Sequence, residues 1–273
     1  MKIGRASGWV AVIAGGAASA SAQPPVPPAP QNPVPAVTPA PTDDAFEKKL
    51  IEIDQAMAKV TDLRADFEQR RKTPLLKKPL VSKGTVITKG ERARWDTASP
   101  RASTMAISGG EIRMYYPADR LLEVYPVGEG FKDIAGAPLP RLSLMKERFE
   151  LARLPVGDLG GDEKNDSLVA IRMTPRSDDL KKHLASVRVL IDTSKPAATK
   201  VVMTDPEGEE TEIVFSDVKL NGGVKDADVE LKVPDGVRVS RPLGETRQTA
   251  PKPADPEKKT LMSDHDRKPK ENA

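Results

Sequence analysis

The sequence predicts a mainly β (α+β) fold: a strongly curved antiparallel sheet of about eleven or twelve strands, with two or three helices. Three observations carry this. Between residues 63 and 233, short segments alternate apolar and polar side chains, the period of half-buried strands. Turn clusters such as Gly109-Gly110, Gly160-Gly161, Asp205-Pro206-Glu207-Gly208 and Asn221-Gly222-Gly223 punctuate them. Few stretches show helical periodicity. So many strands in one domain must curl, close or split into two layers.

Along the chain, residues 1–22 have the layout of a cleaved signal peptide. Lys2 and Arg5 are basic, residues 9–18 are apolar, and Ala20-Ser21-Ala22 is a small-x-small cleavage site. The competing reading, a membrane anchor, needs about 20 apolar residues. This run is much shorter. Residues 23–42 are dominated by proline, the composition of an extended spacer that serves as a stalk or a passive linker. Residues 43–240 form the folded domain, and residues 241–273 mix proline with both charge signs and are expected to be disordered.

The domain opens with a helix, capped by Thr42 or Asp43, in which Phe46, Leu50, Ile53, Met57 and Val60 make one apolar stripe. At Leu63 the period changes to two, with Leu63, Ala65 and Phe67 against Arg64, Asp66 and Glu68. Strands follow at 80–89, 92–98, 102–108, 111–116 and 121–126. A helix at 140–148 interrupts them. They resume at 149–154, 168–174, 187–192, 199–204 and 211–218, with a last short one at 229–233.

Composition excludes several functions. Loss of Lys2 and Arg5 takes the formal charge from +3 to +1, and aromatics are 4% of the chain, so neither a basic surface nor a stacking platform for nucleic acid is expected. There is no cysteine, hence no disulfide, no thiolate chemistry and no N-terminal lipid anchor. His265 falls in the tail and His183 in a polar segment, without metal-ligand spacing. Serines lack a Gly-x-Ser-x-Gly setting, and residues 158–166 lack the alternation of a calcium loop. No enzyme activity, cofactor or metal is expected.

A bent sheet with helices across its mouth would enclose an apolar hollow. Strand residues that are candidates to line it are Val86, Trp95, Met105, Ile107, Met114, Val124, Ile171, Met173, Val189, Ile191, Met203 and Phe215. The methionines suit an irregular partner such as an acyl chain, but also suit ordinary core filling. A hollow and a filled core give the same alternation.

Several segments, in order, resemble the outer-membrane lipoprotein carrier (LolA) family. They are Leu63-Arg64-Ala65-Asp66-Phe67-Glu68-Gln69, then residues 84–95 with Lys89, Arg92, Arg94 and Trp95, then Ser108-Gly109-Gly110-Glu111-Ile112 and Tyr115-Tyr116-Pro117. Pro138-Leu139-Pro140-Arg141-Leu142-Ser143-Leu144, Met173-Thr174-Pro175, residues 187–192 and residues 218–239 complete the series. The resemblance implies an incomplete β-barrel whose helical lid, including Leu139, Leu142 and Met145, closes a hydrophobic cavity. It further implies a monomeric periplasmic carrier that takes acylated lipoproteins from an inner-membrane release transporter and passes them to an outer-membrane acceptor. In the family an Arg-Pro pair follows the lysine, and that arginine holds the lid shut. Here Gly90-Glu91 stand there, and Arg92 or Arg94 become the latch candidates. The alternatives are a carrier or sensor of another lipid or glycolipid, and a non-catalytic envelope scaffold with a filled core.

Overall fold

The computed structural model describes residues 44–73, 76–126 and 141–242. The expected signal peptide at 1–22, the proline-rich residues 23–42, the expected cap at Thr42 or Asp43, Leu139 and all but the first two residues of the expected disordered tail lie outside the described residues.

Helix α1 (Asp44–Met57) buries Phe46, Leu50, Ile53 and Met57, the three- and four-residue steps of a single stripe. Six strands follow as a meander: β1 (Asp62–Lys72), β2 (Leu80–Lys89), β3 (Arg92–Ser99), β4 (Ser103–Ser108), β5 (Glu111–Tyr116) and β6 (Leu121–Pro126). Helix α2 (Leu142–Arg148) leads into a second meander of β7 (Phe149–Leu154), β8 (Leu168–Pro175), β9 (Ser186–Asp192), β10 (Ala197–Thr204) and β11 (Glu210–Leu220). A short helix α3 (Asp178–Lys181), capped by the Ser177 hydroxyl, joins β8 to β9. Among the described residues, no helix is long and apolar enough to cross a membrane.

All strands belong to one curved, unclosed sheet in the order β12-β6-β5-β4-β3-β2-β1-β11-β10-β9-β8-β7, where β12 is Arg238–Ser240. The two meanders meet at one seam, β1 against β11, with Phe67 opposite Phe215. Every pairing is antiparallel except β12, which lies parallel to β6.

The strand expected at 229–233 is corrected to β12. Residues 229–237 cross the sheet instead of extending it, and Val229 and Leu231 are buried on its outer face. The sheet is thus covered on both sides. Its inner face packs against α1 and α2 and holds the main core. Its outer face has two smaller apolar contacts. Val224 and Val229 cover Ile87, and Leu231, Val233 and Val237 cover Ala106, Leu122 and Val124. At the other end, the helical turn Val156–Leu159 packs on Ala170, Leu190 and Val202.

Candidate functional site: the helix-covered inner face

Strand alternation builds the inner face. Val86 of β2, Trp95 of β3, Met105 of β4 and Met114 of β5 are successive cross-strand partners, so one apolar row runs across four strands. In the second meander Ile213, Val201, Val189 and Ile171 form the matching row. Where the halves meet, Trp95 lies between two phenylalanines, with ring centroids 5.0 Å from Phe67 and 5.9 Å from Phe215. Both pairs are tilted, a favourable aromatic geometry.

Of the expected lining residues, Val86, Trp95, Met105, Ile107, Met114, Ile171, Met173, Val189, Ile191 and Phe215 are buried in this single core, and Met203 packs against it half-buried. Val124 does not join them. In β6 it pairs with Arg113, while Leu121 and Tyr125 turn inward, so Val124 belongs to the outer-face cluster with Leu122 and Leu231. Both faces of β6 are apolar because residues 229–237 cover the outer one. Alternation alone gives no way to choose between such faces.

The face is occupied by Phe46, Leu50, Ile53 and Met57 of α1 and by Leu142 and Met145 of α2. Leu142 and Met145, expected in the lid, therefore reach the core. The two helices are also tied to each other. The carboxylate of Asp54 on α1 accepts hydrogen bonds from the backbone N–H groups of Leu142, at 2.7 Å, and Ser143, at 2.6 Å. The residue at the cap position of α2 is Arg141, which makes no cap bond with its side chain, so Asp54 supplies the missing acceptor from another element. A Lys146–Glu47 ion pair adds a second link. Asp54 carries no sequence signature as a cap, because it acts across 88 residues. The only hint is that the helix at 142 starts without a Ser, Thr, Asp or Asn before it.

The two latch candidates lie elsewhere. Ala93 and Trp95 point into the core, so Arg92 and Arg94 must point to the outer face. Arg92 pairs with Asp226, which also receives Lys89 at 3.3 Å. Arg94 pairs with Asp96 at 2.9 Å and donates to the carbonyls of Asp228 and Glu230, at 3.4 and 3.3 Å. Both arginines therefore hold the segment 226–230 against the outer face, and neither reaches α1 or α2. The Arg92 and Lys89 cations hold the Asp226 carboxyl below its ordinary value. On the inner side, Tyr125 donates to Glu123 at 2.8 Å. Burial first, then that bond, pushes the phenol above its ordinary range.

Among the described residues, no group of three His, Asp or Glu side chains is arranged to hold a metal ion. The grooves of the outer face are lined by charge. One of about 650 Å³ runs beside Asp66, Glu68, Arg70, Lys83, Lys200 and Glu212.

Residues 58–229 match the family model described as outer membrane lipoprotein carrier protein LolA. The chain belongs to the LolA family. No curated protein matches it in sequence. Among solved structures, an uncharacterized conserved protein from Thermus thermophilus is 13% identical, with a TM-score of 0.45 over 72% of this chain and 99% of that one. A putative outer membrane lipoprotein-sorting protein domain from Vibrio parahaemolyticus is 15% identical, with a TM-score of 0.37 over 67% of this chain and 96% of its own. A LolA superfamily protein from Nitrosomonas europaea is 12% identical, with a TM-score of 0.35 over 68% and 97%.

Proposed function

We propose that this LolA family member is a periplasmic carrier that binds the acyl chains of lipoproteins against the inner face of its sheet and moves them from the inner to the outer membrane. The observation that carries the reading is the nature of the cover. The apolar face is covered by six side chains from two helices that are tied to each other by the Asp54 carboxylate and the Lys146–Glu47 pair, a cover that can be lifted without breaking the sheet.

Energetics favour exchange of cover for cargo. Six buried aliphatic and aromatic side chains contribute on the order of 10 kcal/mol. A long acyl chain, at about 0.8 kcal/mol per methylene, gains a similar amount on leaving water. Cargo that displaces the helix side chains is then held in near balance, as release to an acceptor requires. The protein works by binding, with no bond made or broken.

Trp95 offers a direct readout. The chain has two tryptophans, Trp9 and Trp95, and only Trp95 remains once residues 1–22 are removed. Titration of the secreted chain with a fatty acid brominated along its chain should quench Trp95 emission saturably, at one ligand per protein. Incubation with spheroplasts carrying radiolabelled lipoproteins should bring lipoprotein into the soluble fraction as a one-to-one complex. Quenching without release would leave a carrier of a different lipid. Absence of both would reduce the inner face to an ordinary filled core and overturn the proposal.

A further inference from the structure

We propose that the β1–β2 hairpin end is a docking surface for an anionic lipid bilayer. Residues 70–83 contain Arg70, Arg71, Lys72, Lys77, Lys78 and Lys83 and no acid. Within the same stretch lie three of the five large apolar side chains exposed among the described residues: Leu76 at 47%, Leu80 at 54% and Val81 at 39%. An apolar residue alone on a surface needs no explanation, but three within six positions, interleaved with cations, do.

On its β3 side the hairpin end stands clear of the sheet. The last β2–β3 partners are Lys83 and Ser99, so residues 80–82 continue past the end of β3 with β1 alone beside them. Four of the cations are paired with three acids, one of which, Glu210, also takes Arg188. Arg70 and Lys83 share Glu68, Arg71 pairs with Glu209 at 2.6 Å, and Lys72 with Glu210 at 3.8 Å. Lys77 and Lys78 have no ion pair among the described residues and are exposed. The surface therefore carries a net positive charge at its tip, where Leu76 and Leu80 stand. Cations facing lipid phosphates while leucine side chains enter the headgroup boundary is how a peripheral protein holds to an anionic membrane. An anionic membrane surface suits this end of the hairpin, because exposed Leu76 and Leu80 flank the exposed cations Lys77 and Lys78 with no acid between them.

The inference does not require that the inner face carry cargo, and it is tested without cargo. The secreted chain is sedimented with vesicles of phosphatidylcholine and phosphatidylglycerol at three to one, and with phosphatidylcholine alone. Two variants alter the tip, Lys77→Glu with Lys78→Glu, and Leu76→Ser with Leu80→Ser. A control, Lys164→Glu with Lys195→Glu, makes the same charge change at exposed lysines elsewhere. Wild type and control are expected to bind the anionic vesicles and not the neutral ones, and the charge-reversal variant to bind at least about tenfold more weakly. The leucine variant should lose affinity too, and circular dichroism should show all four chains folded alike. Unchanged binding in both tip variants overturns the proposal. So does failure of wild type to bind anionic vesicles, which would assign the surface to a protein partner instead.

Discussion

Gly84 shows how a single residue sets the distance between strands. The β2–β3 register shifts between Lys83 and Gly84, and there the two backbones approach closely. A Cβ on residue 84 would lie 1.9 Å from the Asp96 carbonyl oxygen and 2.9 Å from the Thr97 Cα. Both are backbone atoms that no side-chain rotation can clear. Gly84→Ala is expected to cost about 2–3 kcal/mol, read as a lower urea midpoint at unchanged slope. An unaltered midpoint would mean the strands part without cost. Asp226 sets a pH dependence. Its folded value lies below the ordinary 3.8, held down first by Arg92 and then by Lys89. A depressed carboxylate contributes stability that is complete above the unfolded value and is lost as pH falls through the folded one. Wild type should therefore exceed Asp226→Asn in urea midpoint at neutral pH, and the gap should narrow as pH falls below 3.8 and through the lower folded value. A gap that persists in acid would show that charge is not what holds segment 226–230.

Helix α2 has seven residues, too few to persist alone in water. It is kept helical by Leu142 and Met145 in the core and by the Asp54 carboxylate on its first amides. Asp54→Ala is expected to cost about 1–2 kcal/mol, felt mainly by α2. Hydrogen exchange at residues 143–148 should quicken by roughly tenfold while the β3 and β4 amides keep their protection. Brominated fatty acid should also reach Trp95 faster; equal rates in variant and wild type would rule out the clasp as a gate. Such ties explain what the sequence does and does not disclose. The bounds of β2, β5, β6 and β7 are legible to the residue, but only β5 alternates cleanly between buried and half-buried positions along its whole length. Arg92 is open to misreading because alternation places it on one face without saying which face the helices cover. Val124 is misread because both faces of β6 are apolar. The Asp54 clasp depends on two segments that only the folded chain brings together.

At the scale of the whole molecule, the order of strands follows from two local meanders, and each hairpin within them is visible as a turn signal between alternating segments. What no local pattern specifies is the join. Curvature, the helix cover and the outer-face crossing of residues 229–237 all depend on which strands end the meanders and how they meet. That join is the pairing of β1, the first strand, with β11, nearly the last. A chain that is synthesised from its N-terminus completes β1 long before β11 exists. During that interval one side of β1 offers a row of unsatisfied amides and carbonyls next to Phe67, the kind of edge to which stray strands attach. Folding of this protein is thus a race between delivery of its last third and capture of its first strand, and a chaperone would find its most urgent substrate in the half-made chain.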